Sequence, residues 1–182
     1  MNLITKRVHM NRCNGREVKQ LTLDRDFNVP DALQIMKEQG EVQIEEVHMM
    51  EGKASVKGLL HFQILYASDG DIPVSEMTGT IPFEETIPLP QAKAEDEISV
   101  QAEIGDLKSE LINSRKLGMK AIVVLNVTAG SVCDGEGAID IEGGEDIYTK
   151  KRTAEVSYLI FSKKDTLRVR DEWKIPGTKD AM

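Results

Sequence analysis

Between Gly52 and Tyr66 the chain reads GKASVKGLLHFQILY, with Val56, Gly58, Leu60, Phe62 and Ile64 spaced two apart. Side chains that recur at every second position share one face of a pleated strand, whereas a helix would scatter them around its axis. A strand needs partners. The turn-forming cluster SDGD, Ser68 to Asp71, separates this run from IPVSEMTGTIPF and predicts a hairpin. A second hairpin is expected where EISVQAEIGDLKSELI, with Ile98, Val100, Ala102 and Ile104 alternating, meets GMKAIVVLNV across NSRK at Asn113 to Lys116. Gly105 to Leu117 also admits a helical reading.

Other stretches set limits on how these ribbons pack. IPFEETIPLP carries Pro82, Pro88 and Pro90, and because proline cannot donate to a central ladder, this segment is an edge or a crossover. PDALQIMKEQG reads as one short helix, with Pro30 suited to its first turn and Gly40 to its stop. Gly130 to Asp146, GSVCDGEGAIDIEGGED, is rich in glycine and acid and reads as a linker or long loop. Ile147 to Lys163 and Thr166 to Ile175 look like two further strands joined at SKKD. The expected fold is all-β: a two-layer sandwich of mainly antiparallel strands with one short helix after Pro30, a barrel being the alternative. Residues 1–130 would form the β domain with its lead-in strands, 131–146 the linker or loop, and 147–182 a further β-hairpin.

An internal echo bears on that last segment. LTLDRDFNVP, Leu21 to Pro30, recurs as LRVRDEWKIP, Leu167 to Pro176. Leu21 and Pro30 are repeated identically, while Leu23 aligns with Val169, Asp26 with Glu172, Phe27 with Trp173 and Val29 with Ile175. With three residues inserted, Asp31, Ala32 and Leu33 then match Asp180, Ala181 and Met182. The chain is expected to stop just inside a second repeat.

Most chemistry finds no support in the sequence. A chain of 182 residues can bury a core without metal or disulfide help. Its formal charge of −8 and pI near 5.0, with no basic patch interleaved with aromatics, exclude the electrostatics of nucleic-acid binding. No run of about 18 apolar residues suggests a membrane span, and no signal peptide is visible. Cys13 and Cys133 lack a CxxC arrangement or adjacent base and read as free thiols. His9, His48 and His61 fall in different segments without metal spacing; His61 should face away from Leu60 and Phe62, toward the polar side of its sheet. The acids Asp134, Glu136, Asp140, Glu142, Glu145 and Asp146 invite calcium, but Ala138 and Ile139 occupy the fifth and sixth positions of an EF-hand count from Asp134. Gly135 and Gly137 mimic part of a dinucleotide fingerprint without its third glycine or its strand-to-helix context. Adjacent Glu84 and Glu85 would point to opposite faces of a strand, which argues against a carboxylate dyad. The sequon at Asn126 sits in an expected strand, and no GxSxG elbow occurs. No catalytic, cofactor-binding or metal-binding residue is assigned.

VPDALQIM, VKGLLHFQILYASD, IPFEETIPLP and VQAEIGDLKSELINSRKLGMKAIVVLNV, from Pro30 to Val127, together resemble the SPOCS domain of sporulation proteins in endospore-forming Firmicutes. KKDTLRVRDEWKIP looks like the lead-in to a further copy. The resemblance implies a non-catalytic structural or protein-interaction module of the spore coat or spore envelope, without cofactors. It would act in the mother-cell cytoplasm at the forespore surface or in the coat, with other coat or morphogenetic proteins, or copies of itself, as partners. Arg115 and Lys116 match the recurrent turn between strands and read as a solvated hairpin tip. The rival is a glycan-binding module for peptidoglycan or cortex, although 8 aromatic residues leave little for a sugar-stacking platform, and Trp173 aligns with Phe27 as a core site. The leading contact surface is expected after Ile147.

Overall fold

The computed structural model describes residues 2–69 and 72–143 together with Lys150, Arg152, Thr153 and Glu155. Six strands follow one another: β1 (Asn2–Asn28), β2 (Ala32–Met50), β3 (Lys53–Ser68), β4 (Val74–Pro88), β5 (Glu97–Asn113) and β6 (Lys116–Glu142). They form two antiparallel sheets, ordered β1-β6-β5 and β2-β3-β4. Both expected hairpins are present, β3–β4 and β5–β6. Proline-bearing β4 is an edge strand, as its missing donors require.

Alternation drives the packing. Ala54, Val56, Leu60, Phe62, Ile64 and Tyr66 of β3 face Leu117, Met119, Ala121, Val123, Leu125, Val127 and Ala129 of β6, and all are buried. Two clusters, around Leu125 and around Phe62, are joined by Leu23 and Val42, so a single core runs the length of the layers. Phe27 packs against Phe62 with ring centroids 4.8 Å apart. Backbone bonds tie the ends. Val29 and Ala32 donate to Arg115 and Ser114 in the β5–β6 turn at 3.0 and 2.7 Å, and Gly52, in a turn with φ 72°, exchanges bonds of 2.9 Å with Ala92 and Leu89. Strands β2 and β5 close one side, where Glu38 accepts hydrogen bonds from Ser109. The β1/β4 side is bridged by Lys19 and Glu85 at 3.3 Å.

The short helix expected after Pro30 is absent: Ala32–Met50 is strand throughout. Its ladder skips Leu33, Met36 and Glu45, each a bulge that shifts the side-chain phase by one. Core-facing positions Ala32 and Ile35 therefore fall three apart, which imitates a helical period. Pro30 instead precedes a turn in which Asp31 has φ 42°, and Gly40 lies where β2 approaches Ile104 and Leu107 of β5. The linker read over 131–146 is also corrected in part: 131–142 continue β6 and pair with β1, with one bulge at Ile139, because an extended neighbour supplies the hydrogen bonds that the glycine-rich sequence does not by itself call for. The second echo copy, Leu167 to Pro176, lies outside the described residues. Its first copy explains the pattern, since Leu21, Leu23 and Phe27 of β1, and Val29 just beyond its end, face the core. Within Ile147 to Lys163, the described Lys150, Arg152, Thr153 and Glu155 are exposed and belong to no strand.

Candidate functional site

Chemistry-bearing residues are dispersed by the fold. His9 lies on β1 beside Asp134, His48 on β2 bonds Glu46 at 2.6 Å, and His61 sits on the outer face of β3. No group of three or more metal-type side chains gathers among the described residues. Cys13 is exposed, Cys133 half-buried, and both are free thiols whose ladder partners are Gly130 and Met10. Glu84 and Glu85 point to opposite faces, Glu85 inward to meet Lys19. Arg115 and Lys116 do form a hairpin tip, and reach Asp31 at 3.6 Å and Asp26 at 2.6 Å. Asn126 is half-buried in β6.

What the topology builds instead is a projecting ribbon. Strand β5 begins pairing at Glu97 opposite Gly130, so beyond that point, among the described residues, β6 pairs only with β1, from Arg12↔Ser131 to Asn2↔Glu142. At about 3.3 Å per residue this two-stranded arm reaches roughly 40 Å past the three-stranded sheet. A bulge at Asn14 shifts the phase of β1, so Lys6, Val8, Met10 and Arg12 come to the same face as Ser131, Cys133, Gly135 and Gly137. That face continues the core side of the sheet beyond the end of its partner layer. On the opposite face Arg7 and His9 pair with Asp134. Their charges hold the Asp134 carboxyl below its usual range, the Arg7 hydrogen bond contributing most. Leu3, Val132 and Ile139 on the arm are all more than half exposed.

A polar knot sits where the arm leaves the body. Asp96, only 5% exposed, accepts from the Lys93 backbone N–H at 2.8 Å and from Asn14 Nδ2 at 2.9 and 3.0 Å; Nδ2 also reaches Ser131 Oγ at 3.0 Å. The Lys93 N–H is the main reason the Asp96 pKa is lowered, with burial opposing it. A carboxylate with a depressed folded pKa stabilises the fold above the ordinary value near 4, and that contribution is lost as the pH falls through the folded pKa. Asp96→Asn is expected to cost about 1–3 kcal/mol at neutral pH and to flatten the decline in stability below about pH 4, as followed by urea midpoints across an acid series. An unchanged acid profile would refute the assignment.

The outer face of β2-β3-β4 carries rows of polar groups. Glu46, Lys57 and Glu84 form one row, with Lys57 Nζ 3.6 and 3.7 Å from the two acids. The His48 hydrogen bond is the main cause of a lowered Glu46 pKa. Farther along, Gln39 donates to Gln63, and Gln63 donates to Glu76 at 2.9 Å. Between these rows a groove of about 620 Å³ is lined by Glu41, His61, Gln63, Thr78 and Thr80 among others. His61 does face away from Leu60 and Phe62, and its Nε2 is buried without a hydrogen-bond partner among the described residues. All four aromatic residues described, Phe27, Phe62, Tyr66 and Phe83, belong to or pack against the core; of these Phe62 also lines the groove, but it is only 3% exposed.

The contact surface expected after Ile147 lies mostly outside the described residues. The arm was missed because its β6 half was read as a loop. Its signal was nonetheless present: residues 2–12 hold Lys6, Arg7, His9 and Arg12 without an acid, and 131–142 hold Asp134, Glu136, Asp140 and Glu142 without a base.

Residues 31–112 match the family described as SipL, SPOCS domain, so the resemblance read from the sequence holds over strands β2 to β5. All of β1 and all of β6 lie outside the matched segment. Neither the curated proteins nor the solved structures contain a match to this chain. No helix among the described residues is long and apolar enough to cross a membrane.

Proposed function

We propose that a chain sharing the SPOCS segment of sporulation proteins is a non-catalytic assembly module of the spore coat or spore envelope, acting through protein–protein contact. One observation carries this reading: the β1–β6 arm, which presents two outer strand edges and a face bearing Val8 and Met10 that no described residue covers. An isolated two-stranded ribbon is marginal in water, and unpaired edges are templates for another strand. Partners would be coat or morphogenetic proteins, or copies of the chain, met on the mother-cell side of the forespore. A tagged full-length protein is expected to collect at the forespore surface during sporulation and to co-purify with coat proteins. Diffuse staining with no coat protein recovered would defeat the proposal.

The groove around His61 favours one rival, glycan binding, because its amides, hydroxyls and carboxylates could meet sugar hydroxyls. The burial of Phe62, the one aromatic residue lining the groove, argues against it, since a sugar needs an exposed ring face to stack on. The chain is expected to remain in the supernatant when mixed with purified peptidoglycan or spore cortex. Pelleting that is lost in His61→Ala would establish the rival instead.

A further inference from the structure

We infer that the arm joins copies of this chain head to tail, the outer edge of β1 (residues 2–12) in one copy pairing with the outer edge of β6 (131–142) in the next. The inference rests on the assembly reading above and identifies the partner as a second copy.

The charge pattern selects this pairing. One strand of the arm is wholly basic and the other wholly acidic. Like charges placed opposite each other across a ladder are destabilising and opposite charges stabilising. A symmetric union of two β1 edges would set the bases Lys6, Arg7 and Arg12 of one copy among those of the other, and a union of two β6 edges would do the same with four acids. Only β1 against β6 brings base to acid on every strand. Such a contact uses different surfaces on the two copies, so it propagates.

Sterics then set direction. Antiparallel addition at the same register would drive residues 13 onward of the incoming β1 into β5, which already flanks β6 from Gly130. Parallel addition instead sends the second body off the tip of the first arm. Copies related in this way alternate about a twofold screw, with bodies on opposite sides of a continuous ribbon. Bodies on the same side recur every four strands, about 19 Å at a spacing of about 4.8 Å. A three-stranded body occupies three of those four lanes, so the arrangement closes without overlap. Leu3, Val132 and Ile139 lie within the segments that would become interior.

Sedimentation velocity and light scattering on the purified full chain test this. The wild type is expected to form concentration-dependent oligomers that shrink as salt is raised, since screening weakens exposed charge pairs. Lys6→Glu with Arg12→Glu, and separately Glu136→Lys with Glu142→Lys, are each expected to weaken association by about tenfold or more. An equimolar mixture of the two double variants regains it, because reversed β6 edges then meet reversed β1 edges. Unchanged thermal unfolding of the body shows that neither variant acts by misfolding. A wild type that stays monomeric at every concentration overturns the inference, and so does assembly indifferent to both reversals. Assembly only after deletion of Ile147 to Met182 also overturns it, since that segment would then be the occupant. In all three cases recovery of coat proteins by the tagged chain still decides the broader assembly reading separately.

Discussion

Leu125→Ala is expected to lower the unfolding free energy by about 2–5 kcal/mol, the range for emptying a fully buried leucine site. Leu125 is 0% exposed at the middle of β6 and belongs to the cluster that includes Leu21, Val56, Phe83 and Ile87. Loss of its side chain removes transfer energy and leaves a cavity between two sheets, which hydrogen-bonded ladders keep from collapsing together. A domain's whole stability is about 5–15 kcal/mol, so this single change consumes a large share of it. Val18→Ala on neighbouring β1, at a site 53% exposed, should stay within about 0.5 kcal/mol. Urea unfolding with equal m-values for the two variants measures the difference. Equal midpoints would mean that the layers do not pack as described.

The second large effect concerns space. Gly58 on β3 pairs with Phe83 on β4, and Phe62 on β3 pairs with Gly79 on β4. In each pair the ring lies over the glycine, a device that covers the missing side chain. A Cβ at Gly58 would lie 2.5 Å from Phe83 Cζ and 2.6 Å from the Gln43 carbonyl oxygen; at Gly79 the three nearest atoms all belong to the Phe62 ring, at 2.4 to 3.2 Å. Alanine normally suits a strand better than glycine. Here overpacking dominates, and Gly58→Ala is expected to destabilise by about 1–3 kcal/mol. Adding Phe83→Leu should recover only part of the loss, because the Gln43 oxygen is backbone and cannot swing aside. Adding Phe62→Leu to Gly79→Ala should recover more. A double-mutant cycle separates the two cases, and equal recovery would show that the backbone contact is unimportant.

Legibility in the sequence followed from how evenly a strand alternates. The unbroken alternation of β3 marked both its core face and its hairpin partner. Proline placed β4 at an edge, and NSRK placed the β5–β6 turn. Strand β2 was misread because three bulges inserted residues into the pattern, so its inward side chains no longer fell two apart. The outer half of β6 was misread for a different reason. Its glycines and acids lack a core to face, and only pairing with the first dozen residues, more than a hundred positions away, makes them a strand.

Local alternation, turn chemistry and proline placement thus determined on their own that the fold is all-β, that its central ribbons are hairpins, and which face of β3 is turned to the core. These are short-range properties, set by where a side chain points relative to its neighbours. Which strand flanks which, the phase shift at Asn14, the Asp96 knot and the reach of the arm were decided only by tertiary structure. Each depends on hydrogen bonds between segments far apart in the chain, whose register is chosen by the packing of the whole sandwich.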